Sequence, residues 1–375
     1  MCSPSTSRKR DVAAVGVAIA VALAGCDGAS RATSPPPTTT ATSTVATSST
    51  TTATPATPPR PPRPRKPSPP FAVGERVLTF VDHSRTVQYP GEAPEPRTLV
   101  TIVRYPAIGP SGGGDIAGAR PLRAAGPYPL VIFGHGFAVT PTIYAPLLRA
   151  WARAGYVVAA PIFPLANANA PGGPNESDLI KQPADMSFVI TQMLNASAAL
   201  DGPFSGLIDG RHIAVSGQSD GGDTALTAAY NGRFRDRRIG AAVILSGQEI
   251  PALGGYDYPA PSPPLLATQG LADTINVPST TYAFFDPAPR PKYLLTMPGA
   301  PHLPPYTDEQ PQLAIVERVT IAFLDRYLEG NRGAVARMAS AADRPGIAAL
   351  QALPSGVNAF SPPLNLRLLH TEDDV

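Results

Sequence analysis

The chain has 375 residues, enough for one large domain or two small ones. Apolar residues make up 43%, so a sizeable core can form, and Lys plus Arg (30) nearly balance Asp plus Glu (28), which excludes a strongly basic nucleic-acid binder. Glycine (33) and proline (47) are too abundant for an all-helical protein, and the only cysteines, Cys2 and Cys26, sit at the N-terminus, leaving the body with no disulfide and no Cys-based zinc site.

The chain opens with the basic cluster Arg8-Lys9-Arg10, a short apolar run from Val12 to Ala24, and Gly25-Cys26. The run is too short to span a bilayer, where about 20 apolar residues are needed. It reads as a secretory signal peptide over residues 1–25. Leu23-Ala24-Gly25-Cys26 resembles the lipobox of bacterial lipoproteins. That resemblance implies cleavage before Cys26, acylation of its thiol, and a protein exported and anchored to the outer face of the membrane; secretion follows if the lipobox is not used. Residues 26–70 are rich in Pro, Thr and Ser. Such a segment cannot bury enough apolar area to offset its ordering entropy, so it is expected to act as a disordered tether between the anchor and the body.

From Phe71 onward the pattern changes. Arg76–Asp82 and Arg97–Pro106 alternate apolar and polar residues, as half-buried strands do. Tyr128–Phe133 is a continuous apolar run that ends in Gly134-His135-Gly136. Pro141–Ala154 has helical spacing in Ile143, Leu147, Leu148 and Trp151, and Tyr156–Phe163 is again a buried strand. A helix is predicted over Gln182–Leu200, a strand over Arg211–Gly217, and a helix over Gly221–Asn231. Ile239–Ser246, Pro264–Gly270 and Lys292–Pro298 read as three more strands, and Pro311–Leu328 as an amphipathic helix. This alternation predicts an α/β fold, a mostly parallel central sheet with helices on both faces. The catalytic body is assigned to 71–330, with 331–375 as a C-terminal extension.

The most informative stretch is Gly217-Gln218-Ser219-Asp220-Gly221-Gly222, an apolar strand that passes through Gly-x-Ser-x-Gly into an Ala-rich helix. Glycines flank the serine because the turn is too sharp for side chains beside it, and the turn lifts the hydroxyl above the sheet at a helix N-terminus. A serine hydroxyl needs a base to act as a nucleophile. Of the five histidines, His302 follows a strand directly, in Gly299-Ala300-Pro301-His302, at the sheet end where sites form. His83, His212 and His370 lie elsewhere, and His135 is assigned a loop-structuring role. The base needs an orienting carboxylate. Asp273 follows the strand Leu265–Gly270, and the order Ser219, Asp273, His302 is the hydrolase chain order. Asp286 is the rival acid but precedes a strand, and Asp223 reads as a helix N-terminal charge. The backbone N–H groups of Phe137 and Asp220 form the candidate oxyanion hole.

Between about residues 71 and 330 the chain resembles the α/β-hydrolases. It is most similar to the branch that includes dienelactone hydrolase, chlorophyllase and platelet-activating-factor acetylhydrolase, along with bacterial polyester hydrolases. The matching pieces are Tyr105-Pro106, Gly134-His135-Gly136-Phe137, Gln182-Pro183-Ala184-Asp185, Gly217–Gly222, Gly270-Leu271-Ala272-Asp273 and Gly299–His302. The resemblance implies a Ser-His-Asp carboxylic-ester hydrolase that works through an acyl-enzyme, needs no cofactor, and takes a small-molecule or lipid ester. Two residues depart from it: Gln218 stands where many relatives have His, and Asp220 where polyester hydrolases usually have Met. Two other readings compete. One is a serine peptidase of related fold; the other is an inactive hydrolase fold used as an envelope binding module.

Overall fold

The computed structural model describes residues 67–355. The signal peptide, Cys26 and nearly all of the tether lie outside the described residues, as does His370. The described chain builds one ten-stranded sheet in the order β10-β9-β8-β7-β6-β4-β5-β2-β1-β3. The strands are β1 (Ala72–Val87), β2 (Glu95–Ala107), β3 (Ile116–Ala117), β4 (Tyr128–Gly134), β5 (Val157–Pro161), β6 (Ile208–Gln218), β7 (Ile239–Leu245), β8 (Leu265–Gly270), β9 (Lys292–Met297) and β10 (Ala349–Leu353). The six strands from β5 to β9 in that order run parallel, while β2 pairs antiparallel with β5 and with β1, and β10 pairs antiparallel with β9.

Composition explains this division. Every residue of β4, β5 and β8 is buried, which is why these strands read as unbroken apolar runs. β1 alternates half-buried and exposed positions along its middle, as a strand with one wet face does. Within β4, Leu130 and Ile132 point into one apolar layer and Val131 and Phe133 into the other. The first layer is closed by α2 (Gln182–Ala198), α3 (Asp220–Tyr230) and α4 (Pro278–Phe285), the second by α1 (Ala145–Ala154), α5 (Gln312–Tyr327) and α6 (Ala334–Ala342). Trp151 of α1 donates its indole N–H to Thr320 of α5 across 2.8 Å, satisfying the one polar atom of a fully buried ring.

The strands and helices expected from periodicity are present, with ends shifted by a few residues; the first turn of the Pro141–Ala154 helix is 3₁₀ over Pro141–Tyr144. α4, α6, β3 and β10 were not expected. Residues 331–353, set apart above as an extension, continue the same body: β10 adds to the edge of β9, and Ala334, Met338 and Ala342 are buried in the second apolar layer.

Candidate active site

β6 ends at Gln218 and α3 begins at Asp220, so Ser219 alone makes the turn between them. Its backbone has φ 55° and ψ −127°, a conformation that side-chain-bearing residues seldom adopt outside strained functional turns. Two bonds hold it there: the Ser219 N–H donates to the Leu245 carbonyl at 3.0 Å, and the Ser219 carbonyl accepts from the Asp223 N–H at 2.9 Å. The glycine requirement is steric. A Cβ on Gly217 would lie 2.0 Å from the Gly221 carbonyl oxygen, and one on Gly221 would lie 2.0 Å from that of Gly134. The strand, the helix and the β4 loop therefore touch backbone to backbone. Ser219 is left half-exposed at the carboxyl end of the sheet.

The other two chemical groups come from neighbouring strand ends. β8 leads to Asp273, and β9 leads to His302. The two loops are laced together, Leu271 N–H to the Met297 carbonyl and Ala272 N–H to the Ala300 carbonyl, at 3.0 and 3.1 Å. His302 Nδ1 lies 2.7 Å from Asp273 Oδ2. Asp273 Oδ1 accepts from the N–H groups of Ile275 and Asn276 at 2.9 and 3.0 Å. Burial opposes ionisation of Asp273, but the His302 bond and the two amides outweigh it and hold the carboxyl below the usual carboxylate range. An ionised Asp273 accepts only, so His302 Nδ1 carries the proton and Nε2 is left to face the site.

The loop after β4 lies against the elbow. A Cβ on Gly136 would come within 3.3 Å of the Ser219 Cβ. His135 is fully buried; its Nε2 accepts from the Phe163 N–H at 3.0 Å, so its Nδ1 donates to the Gly136 carbonyl at 2.7 Å. Burial drops its pKa to about 4, and both ring nitrogens are occupied. It therefore shapes the loop, as expected, and is not a base. The Phe137 N–H has no hydrogen-bond partner among the described residues, and the Asp220 N–H, first in α3, has none within its helix.

The rival acids fall away on position. Asp286 is exposed at the end of α4. Asp223 is buried and accepts from the Gln248 N–H at 2.7 Å, fixing the loop after β7. His212 pairs with Asp209 at the opposite end of β6, and His83 is exposed on β1. Asp185 is paired with Arg97 through bonds of 2.7 and 2.6 Å and with Arg85 at 2.7 Å, a structural role.

The surroundings of three side chains escaped sequence reasoning. Gln218 contacts His302 directly, its Nε2 lying 3.0 Å from the His302 carbonyl oxygen and 3.3 Å from Nε2 of the ring. Tyr144 is fully buried and donates its hydroxyl to Gln218 Oε1 at 2.7 Å. Asp220 was chosen for its backbone, yet the residue is buried, with its side-chain Oδ2 unpartnered. Burial, then the charge of Glu176, push its pKa to about 6 against the opposing pull of His302.

The mostly parallel sheet with helices on both faces has a structural parallel. A ferulic acid esterase from Streptomyces cinnamoneus superposes with a TM-score of 0.52 at 23% identity, covering 70% of this chain and 91% of that one. The chain has the α/β-hydrolase fold. The chlorophyllase family model matches residues 118–244, which run from the β4 approach through the elbow to β7. No curated protein matches the chain. On this α/β-hydrolase frame the expected residues Ser219, Asp273 and His302 all occupy the carboxyl ends of adjacent or near-adjacent strands, and Phe137 and Asp220 flank the elbow.

Proposed function

We propose that the protein is a serine hydrolase of carboxylic esters. Ser219 Oγ attacks the ester carbonyl as His302 Nε2 takes its proton. The N–H groups of Phe137 and Asp220 stabilise the oxyanion, each contributing about 3 kcal/mol to lowering the barrier. His302 then returns the proton to the leaving alcohol, and a water activated by the same nitrogen hydrolyses the acyl-enzyme. Asp273 keeps the imidazole in the tautomer this sequence needs. The observation that carries the reading is the 2.7 Å bond between His302 Nδ1 and Asp273 Oδ2 at the strand ends beside a strained serine elbow. Likeness to the chlorophyllase model and to a ferulic acid esterase supports an ester as the bond cleaved. The lipobox-like Leu23–Cys26 and the Pro/Thr-rich segment after it support an exported protein anchored through Cys26, working on esters outside the cell.

The test is a panel of p-nitrophenyl esters of increasing acyl length set beside aminoacyl p-nitroanilides. Ester turnover that falls by about 10³-fold or more in Ser219→Ala supports the reading. Anilide turnover exceeding ester turnover would give the chain to the peptidase alternative, and no turnover of either would favour a binding module.

A further inference from the structure

In this structure the ring nitrogen that His302 offers to the site is met by Gln218. The Gln218 amide nitrogen lies 3.3 Å from His302 Nε2 and 3.0 Å from the His302 carbonyl oxygen, while the Ser219 hydroxyl makes no hydrogen bond among the described residues. Catalytic hydrogen bonds commonly tighten only once substrate is bound.

Which end of the Gln218 amide faces the histidine is decided by its other partner. Oε1 accepts from the Tyr144 hydroxyl at 2.7 Å, and that hydroxyl oxygen accepts from the Gly136 N–H at 3.3 Å. A phenol has one proton to give, and here it goes to Oε1. Both amide hydrogens of Gln218 are then directed at His302, one to its carbonyl and one to Nε2. Nδ1 already gives its proton to Asp273. Nε2 is thus held as an acceptor, the state a general base requires. A flipped amide would set its oxygen against two acceptors; a proton on Nε2 would relieve the contact with the ring but not that with the carbonyl, and would stop the nitrogen from accepting the serine proton. Tyr144 and Gln218 are 0% and 1% exposed, so water does not substitute for either partner.

We propose that Gln218, locked in orientation by Tyr144, is a positioning residue that fixes His302 as the Nε2-acceptor tautomer in the free enzyme and yields that nitrogen to Ser219 when substrate binds. The same relay ties the base to Gly136, beside the oxyanion loop. The inference rests on His302 being the general base.

The test uses the mature chain labelled with ¹⁵N-histidine, with His302 assigned by its loss in His302→Ala. Gln218→Glu keeps the shape of the side chain but replaces the donor with an acceptor. Tyr144→Phe keeps Gln218 and removes its lock, and so carries the test if Gln218→Glu fails to fold. In the wild type the Nε2 resonance is expected to be of the unprotonated, pyridine type. Gln218→Glu is expected to move it to the protonated type and lower kcat about 10²-fold with KM within about twofold, and Tyr144→Phe to do the same in part. Losses of kcat with unmoved nitrogen resonances would reduce Gln218 to packing and overturn the proposal, as would wild-type kcat in both variants. Esterase activity surviving in His302→Ala would instead sink the general-base reading, an outcome distinct from the first because the nitrogen resonances report the Gln218 contact without turnover.

Discussion

At the scale of single residues, the fold sets a buried acid next to Ser219 without an ion-pair partner among the described residues. Asp220 follows Ser219 directly, its Oδ2 has no partner, and its pKa is pushed to about 6, first by burial and then by Glu176. A folded-state pKa raised above the unfolded value means that the ionised form is penalised in the folded protein. The penalty is absent below about pH 4, where both states hold the proton; it develops between about 4 and 6, and is complete above that. Asp220→Asn is therefore expected to stabilise the protein at pH 7.5, by at most about 3 kcal/mol, and to give a smaller gain at pH 4.5. Thermal melts at the two pH values check this, and an equal gain at both would contradict it. The backbone N–H of residue 220 is kept in that variant. None of this was legible in the sequence, where Asp220 stood out for its backbone N–H and as a departure from a family pattern, not for its buried carboxyl. Ser219, Asp273 and His302 were legible because each follows an apolar strand directly, so chain order alone told which end of the sheet they share. Gln218 and Tyr144 are 74 residues apart in sequence, and Gln218 fills a variable position of the Gly-x-Ser-x-Gly motif while Tyr144 lies in none, so their hydrogen bond left no trace.

At the scale of elements, the elbow is the least forgiving junction. β6, α3 and the end of β4 pack backbone against backbone through Gly217, Gly221 and Gly134. Gly221→Ala would place a methyl group 2.0 Å from the Gly134 carbonyl oxygen, an atom that cannot swing aside. It is expected to cost about 3 kcal/mol or more and to abolish the proposed activity, since the loop after β4 and the serine must both move. Denaturant unfolding with a parallel ester assay checks it; a stable, active variant would mean that the junction is looser than described. The Gly-x-Ser-x-Gly spacing announced this junction because only close backbone approach needs glycine at both flanks. Strand and helix ends were less legible. β1 runs from Ala72 to Val87, well past the alternating stretch Arg76–Asp82, because its pairing with β2, not its own pattern, sets its length.

At the scale of the whole molecule, the body reaches beyond the expected end at residue 330. α6 supplies Ala334, Met338, Ala341 and Ala342, and the turn before β10 supplies Ala348, to the apolar layer shared with α1 and α5, and β10 covers the edge of β9, the strand that leads to His302. The stretch was read as an extension because its helix is short and Ala-rich and its last strand, with Ala349, Gln351 and Ala352 exposed, lacks an apolar run. A chain stopped after residue 330 is expected to melt about 10 °C or more below one stopped after 355, and to lose the proposed esterase activity with it. Equal melting temperatures would make 331–353 an accessory. The alternation of strand and helix from Tyr128 to Leu328 was enough for the sheet, since buried parallel strands and amphipathic helices have distinct apolar periods.

The central claim is that the hydroxyl at 219 is a nucleophile activated by His302. Intact-mass and peptide-mapping analysis after exposure to a fluorophosphonate tests it most directly. One stoichiometric adduct on the peptide containing Ser219, lost in Ser219→Ala and slowed about 10²-fold or more in His302→Ala, is the expected result. An unmodified wild-type protein, or an adduct on any other residue, would contradict it.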